Sequence, residues 1–335
     1  MRRRNRTSVL ASLGLSAALV WAGAASAQPA AEGGDALSLE EVSNKLNNPL
    51  SDLWMIFMEN DLNRFRGDPA DGSEWVNTAI VQPVMPLALT KKWNLVSRPI
   101  IPILSAPKFT RPSDVPQQAF DRFNGCGGSP ATCLSTPPDQ IFALASPDTE
   151  RTTALGDIMF WTMLSPAEPM TLPDDSNFVW GLGPAFMFPT ATEDQFGTQK
   201  WSMGPSAITM RMGKKTTLGL FQQHLFSYAG DGDVDDVRMS QFQPIYWYKL
   251  PWGQWQVGGF PMITVDWEAD SDNRLTLPLE LGVSNTFFVG PMPLRVGIAA
   301  NYSVVAPDDY GQRWGIKIFI VPVIPKPIKR ALFEG

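Results

Sequence analysis

Few side chains in this chain are equipped for covalent or metal chemistry. His224 is the single histidine. A hydrolase built on it would need a serine within reach. The nearest along the chain is Ser227, which a strand would place on the opposite face. A structural histidine is the better supported reading. Asp231, Asp233, Asp235 and Asp236 form the run DGDVDD. Alternating carboxylates suit a hard cation such as calcium. The helix–loop–helix calcium pattern fails, because it needs glycine where Asp236 stands and glutamate where Phe242 stands. A solvated acidic loop is the simpler reading. Cys126 and Cys133 lie in NGCGGSPATCLSTPP. In an exported chain such a pair reads as a disulfide tying off a long loop. No catalytic residue, metal or cofactor is expected from these groups.

A second set of polar side chains sits inside otherwise apolar segments: Arg98, Asp157, Gln243, Glu280, Arg295, Asn301 and Lys317. They matter only if the segments that carry them share an interior. Those segments alternate with period two. From Phe178 to Phe188, the residues Phe178, Trp180, Leu182, Phe186 and Phe188 fall on one face. Val179, Gly181, Gly183 and Ala185 fall on the other. Large apolar residues on one face and small ones on the other fit a barrel wall, with the large face toward lipid and the small face toward a confined lumen.

Twelve strand-sized segments are expected, at about 50–59, 74–88, 92–105, 154–165, 177–189, 201–212, 216–228, 238–250, 255–267, 275–288, 293–305 and 312–324. Short or Pro/Gly-bearing connections near residues 90, 170, 214, 252 and 291 alternate with longer or acidic ones. That asymmetry marks barrels with short turns on the periplasmic side and long loops outside. In the last three strands Glu280, Arg295 and Lys317 all fall on the face opposite the leucines, valines and isoleucines. A charge on a lipid-facing surface costs about 2–4 kcal/mol at the bilayer midplane, so the charged face must look inward. Trp75, Trp93, Trp201, Trp252, Trp255, Trp267 and Trp314 lie near strand ends, as interfacial girdles require. The fold expected is therefore all-β: a closed antiparallel transmembrane β-barrel of about 12 strands. Prolines inside the segments (Pro83, Pro86, Pro99, Pro102, Pro184, Pro205, Pro244, Pro261, Pro278 and Pro322) fit poorly, because proline cannot donate to a ladder.

Residues 1–27 carry a basic start, an apolar stretch and an Ala-Ser-Ala cleavage signal, and read as a secretory signal peptide. Its removal leaves 23 basic against 33 acidic residues, moving the formal charge from −6 to −10. Acidic balance without basic patches argues against nucleic acid. Residues 28–49 form a tail and a short helix at about 38–47, opened by a capping box from Ser38 to Glu41. Residues 50–335 form the barrel. The mean hydropathy is −0.09. No later segment holds the roughly 18 apolar residues of a membrane-spanning helix, but strands whose faces alternate leave mean hydropathy near zero.

Taken together, IVQPVMPLALTKKWNLVSRPIIPIL, ALGDIMF, WGLGPAFMFPTATEDQFGTQKWSMGP, FSYAGDGDVDDV, WEADSDNRLTLPLELGV and NYSVVAPDDYGQRW span residues 80–314. On these stretches the chain resembles the Gram-negative outer-membrane barrels grouped under the meta-cleavage pathway of phenol degradation, some of which circulate under the mistaken label neuromedin U. The pattern WGxGPxxxxPTAT…KWxxGP is its most specific part. The 106–153 loop is longer than that group leads one to expect, and the ending LFEG departs from a terminal aromatic. The resemblance implies an outer-membrane location, contact with outer-membrane lipid and lipopolysaccharide, and passive transport of small, apolar or aromatic compounds. It assigns no catalytic residues. The alternatives are a structural or surface barrel without transport and an outer-membrane hydrolase. A turn at about 291 and a loop centred near 308 set an expected register, with Glu280 beside Tyr302 and Lys317 beside Ala300. Glu280 and Lys317 then approach inside the barrel, directly or through Asn301, and Arg295 lies nearer the periplasmic rim.

Overall fold

A computed structural model describes residues 38–67, 72–109, 147–324 and 332. The signal-peptide reading and the Cys126–Cys133 pairing lie outside the described residues. The chain begins with helix α1 (Leu39–Leu46) and continues as β1 (Met55–Gly67), β2 (Gly72–Ala88), β3 (Trp93–Phe109), β4 (Pro147–Leu155), β5 (Ile158–Pro166), β6 (Met170–Thr171), β7 (Asn177–Phe188), β8 (Lys200–Met212), β9 (Thr216–Gly230), β10 (Arg238–Lys249), β11 (Gln256–Gly259), β12 (Ile263–Asp266), β13 (Leu275–Val289), β14 (Met292–Val305) and β15 (Tyr310–Pro322). β4, β5 and β6 are pieces of one interrupted wall strand, since β4 and β5 follow one another along β3, and β5 and β6 along β7. β11 and β12 form another, both lying between β10 and β13. The wall therefore has twelve strands. All pairs are antiparallel, and β1 pairs with both β2 and β15, which closes the barrel.

Alternation decides what each strand shows to lipid. On β7, Val179, Ala185 and Met187 are buried inside, while Leu182 faces out. On β13 to β15, Leu279, Leu281, Ile298, Tyr302, Trp314, Ile316, Ile318 and Ile320 face out, and Glu280, Arg295, Asn301 and Lys317 are buried inside. Among the described residues no helix is long and apolar enough to cross a membrane; the chain crosses with strands.

The structure accounts for most of the prolines. The β2–β3 ladder is interrupted between the Val81–Ile101 and Met85–Ser97 pairs, around Pro83 and Pro99. The β5–β7 ladder is interrupted beside Pro184, and the β8–β9 ladder beside Pro205. Pro261 lies in the break between β11 and β12, Pro278 at a bulge in β13, and Pro322 ends β15. Pro86, Pro102 and Pro244 keep register on one side only: Pro86 lies past the end of the β1–β2 ladder, Pro102 faces the β4–β5 break and Pro244 the β11–β12 break. Proline thus occurs mainly where the backbone has already given up a hydrogen bond.

Two sequence expectations need correction. The first strand does not end at residue 59. It runs from Met55 to Gly67 with partners on both sides. Asp61 and Asn63 look like loop residues, but they continue the inward face set by Phe57 and Glu59, where polar groups are tolerated. The register is also one residue off. The β13–β14 turn is Gly290–Pro291, with Gly290 at φ +58°, so Glu280 stands opposite Asn301 and Lys317 opposite Ala299. Residues directly opposite share a face; Glu280 could not have opposed the lipid-facing Tyr302.

At the short-turn end, Asp174 sits between Ser176 and Arg211. The Ser176 hydroxyl, followed by the Arg211 guanidinium, holds its carboxyl down at about 2. A group depressed on folding contributes its stability above the ordinary aspartate range and loses it as pH falls through the lowered value. The turn is therefore expected to keep its ion pair at pH 3. Carboxyl-carbon NMR should record a titration midpoint near 2 that moves up in Arg211→Ala; an unmoved midpoint would contradict the pairing.

Candidate interior site

The interior is lined unequally. Around β5 to β10 the buried inward residues are mainly apolar: Trp161, Met163, Val179, Ile208, Met210, Phe221, Ile245 and Trp247 among them. Around β13 to β3 stand the ionic and amide groups. This division is chemical rather than sharp, since Phe57 and Phe319 rise from the polar half and stack at 5.8 Å. Phe319 lies over Gly297, where an added Cβ would come within 2.1 Å of the ring. The small inner residue on one strand makes room for the large one on its neighbour.

The ionic centre is built around Lys317 on β15. Its ammonium lies 3.1 Å from Glu280 on β13 and 3.9 Å from Glu59 on β1. It also sits 4.4 Å from the ring centre of Phe260. Gln82 on β2 donates to Glu59 at 3.1 Å. Arg98 on β3 stands over Phe57 and Trp161, at 5.4 and 5.8 Å from the ring centres, and its Nε has no hydrogen-bond partner. Asn301 joins a layer above with Asn63 and Gln312, accepting from Gln312 Nε2 at 2.8 Å. The first strands and the last three meet here because closure brings β1 against β15.

Glu280 has a second task. Between β11 and β12 the wall ladder fails, leaving Gln243 to Ile245 of β10 and Leu277 to Leu281 of β13 without paired strand residues on that side. Side chains close the gap. Glu280 Oε1 accepts from the Phe260 amide at 2.9 Å, Gln243 Nε2 donates to the Phe260 carbonyl at 3.1 Å, and the Tyr246 hydroxyl donates to the Glu280 carbonyl at 2.5 Å. One carboxylate oxygen thus serves the wall and the other serves Lys317. Gln243 belongs to this seam.

Arg295 lies lower, toward the short-turn end. It is buried, donates to Ser284, Asn47 and Gln256, and rests 4.5 Å from the ring centre of Trp247. Asn47 is the C-cap of α1. The helix forms as its capping box requires, with Ser38 and Glu41 exchanging hydrogen bonds. It buries Val42, Ser43 and Leu46. Lys249 pairs with Glu40 at 2.6 Å and Gln256 donates to Ser43 at 3.1 Å. Across the barrel, Leu50 packs against Gly181 on β7. The segment from α1 to Leu50 therefore crosses the short-turn mouth.

Asp157 is set apart from this centre. It sits at the β4–β5 break and accepts from the amides of Thr190, Ala191 and Thr198 and from the Thr198 hydroxyl, the last two at 2.6 and 2.8 Å. It anchors the loop at 189–199. Asp157→Ala would orphan several donors, each worth about 1–3 kcal/mol when buried. We expect faster proteolysis within 189–199 with the barrel intact; unchanged cleavage would contradict the anchor.

The acidic run and the histidine also resolve. Asp231 Oδ1 accepts from the Asp233 amide at 2.9 Å, and Asp236 takes Lys200 at 3.3 Å and the Ser227 hydroxyl at 3.0 Å. Among the described residues no three acidic, histidine or cysteine side chains converge to hold a metal. His224 points outward and meets Ser240, not Ser227, with Nδ1 2.7 Å from Oγ. The cross-strand partner is invisible along the chain. Ser240 is buried and also accepts from Trp267 Nε1 at 2.8 Å, so the pair fixes an interfacial tryptophan.

Sequence reasoning missed Glu59, Asp61, Gln82, Trp247 and Phe260. The first two carried a usable signal, since Phe57, Glu59, Asp61 and Asn63 continue one period-two face. Phe260 carried none, because its place depends on the broken ladder.

No family model matches the sequence, and no curated protein matches it. Among solved structures, the chain is similar to an outer-membrane channel from Pseudomonas putida F1, at 12% identity and TM-score 0.51, over 81% of this chain and 94% of that one. Weaker likenesses include the β-domain of the Bordetella autotransporter BrkA, at 8% identity and TM-score 0.38, over 82% and 100% of the two chains. The outer-membrane phospholipase A of Escherichia coli matches at 10% identity and TM-score 0.38, over 85% and 98%. The closed twelve-stranded wall, its apolar outer face and the fold shared with the Pseudomonas channel make this chain an outer-membrane β-barrel.

Proposed function

We propose that the barrel is a passive channel for small, apolar or aromatic compounds, of the kind grouped with the phenol meta-pathway. The observation that carries this reading is the lining. Half of the interior is mainly aromatic or aliphatic, and of the ionic groups opposite it Lys317, Glu280 and Glu59 are paired with one another while Arg98 and Arg295 are set against rings. A channel for sugars or ions has no use for such a wall, whereas an uncharged aromatic solute gains by leaving water along it. No catalytic step enters this reading, and surrounding lipid and lipopolysaccharide are its only standing partners.

Proteoliposomes should separate this from its alternative. A small uncharged aromatic solute should enter vesicles holding the protein faster than empty ones, and faster than a sugar of similar size. A structural barrel without transport, which the close packing around Phe319 favours, would leave each solute entering at its own empty-vesicle rate.

A further inference from the structure

The outer wall carries a row that the interior reading leaves unused. Toward the long loops, Trp75, Arg64, Trp314 and Tyr302 stand side by side on β2, β1, β15 and β14. Trp75 is opposite Arg64, Arg64 opposite Trp314, and Trp314 opposite Tyr302. All four are on the lipid side, because Glu59, Asp61 and Asn63 occupy the inward positions of β1 and the register carries that parity around the wall. Trp314 and Tyr302 are correspondingly exposed.

The arginine is held. Its guanidinium carbon lies 5.4 Å from the Trp75 ring centre, and the Trp75 and Trp314 rings meet edge-on at 5.0 Å. Arg64 Nε donates to the Ser73 hydroxyl at 2.9 Å, and Nη2 donates to the same oxygen. These partners are neutral. Three other arginines near the barrel rims have acids: Arg211 pairs with Asp174, Arg238 with Glu268 at 3.6 Å, and Arg313 with Asp308 at 3.9 Å, while Arg151 and Arg274 donate to the Ser105 and Ala269 carbonyls. Among the described residues no carboxylate lies in salt-bridge range of Arg64. Arg66 follows on the same face and is exposed.

Tryptophan and tyrosine rows mark the headgroup depth of a membrane. At that depth on the long-loop side, the outer leaflet presents the phosphates of its glycolipid. A guanidinium offers a planar fork that matches phosphate oxygens, and a ring behind it presets the orientation. We propose that Arg64, steadied by Ser73 and Trp75 and flanked by Trp314, is a binding site for a phosphate group of lipopolysaccharide. The assignment rests on the outer-membrane reading with the long loops outward, and is independent of transport.

The test uses the full-length protein, extracted from outer membranes in mild detergent, and counts bound glycolipid by native mass spectrometry. Arg64→Ala should retain less by about tenfold, the loss expected for one charge-assisted pair. Arg64→Lys should retain an intermediate amount, and Arg238→Ala should match the wild type. Delipidated wild-type protein, titrated with the glycolipid and with its enzymatically dephosphorylated form, should prefer the phosphorylated form by a similar factor. That arm needs no variant, so misfolding of Arg64→Ala cannot obscure the outcome. Equal binding of the two forms, or wild-type retention by folded Arg64→Ala, would overturn the site. Absence of the protein from the outer-membrane fraction would instead fail the location on which the site rests.

Discussion

Glu280→Ala is expected to destabilise the barrel by about 3–5 kcal/mol, the usual result of removing one partner of a buried ion pair. The carboxylate has two buried dependants. Lys317 would lose its nearest anion, at 3.1 Å, and keep Glu59 at 3.9 Å. The Phe260 amide would lose its acceptor where no neighbouring strand can replace it. The weakened pairing of the ammonium and the orphaned amide both follow from one vanished group. Urea unfolding in detergent micelles, followed by tryptophan fluorescence, would measure the loss. Asp233→Ala, in an exposed loop, should change the midpoint little. Glu280→Gln should fall between, since its amide oxygen can still accept from Phe260 but no longer carries charge for Lys317. If Glu280→Ala and Asp233→Ala unfold alike, the interior pair does not hold the seam together.

Undocking α1 should have the largest effect on conduction. Val42 and Leu46 point the helix into the mouth, and three polar contacts hold it: Glu40 with Lys249, Ser43 with Gln256 and Asn47 with Arg295. Val42→Asp combined with Leu46→Asp would put two carboxylates into that apolar contact, each costly to bury unpaired. The helix should leave the mouth while the wall, which it does not pair with, stays closed. Single-channel recording should then show a several-fold larger conductance than the wild type, with heat-modifiable mobility on gels unchanged. Arg295→Ala should move the same way by a smaller step, because it releases Asn47 but leaves the apolar face seated. Unchanged conductance in the double variant would mean that the mouth is not where flow is limited.

The sequence by itself determined the number of wall strands, the face that the 178–188 strand and the last three turn to lipid, and the end that carries the short turns. These follow from a local rule: successive side chains on a strand point opposite ways, and a bilayer tolerates charge on one side only. Phe178 to Phe188 and Leu275 to Val283 state that rule plainly, so the inward set of Glu280, Arg295, Asn301 and Lys317 was legible without coordinates. Only the tertiary structure decided who meets whom. A one-residue change in the Gly290–Pro291 turn resets every pair on β13 and β14, and no local pattern reports it. Closure sets β1 against β15, which brings Glu59 to Lys317. The same packing seats Asn47 on Arg295 and Ser240 on His224. The seam at Phe260 is the clearest case. A proline announces a missing hydrogen bond, but which side chains cross to replace it depends on neighbours that only the closed wall supplies.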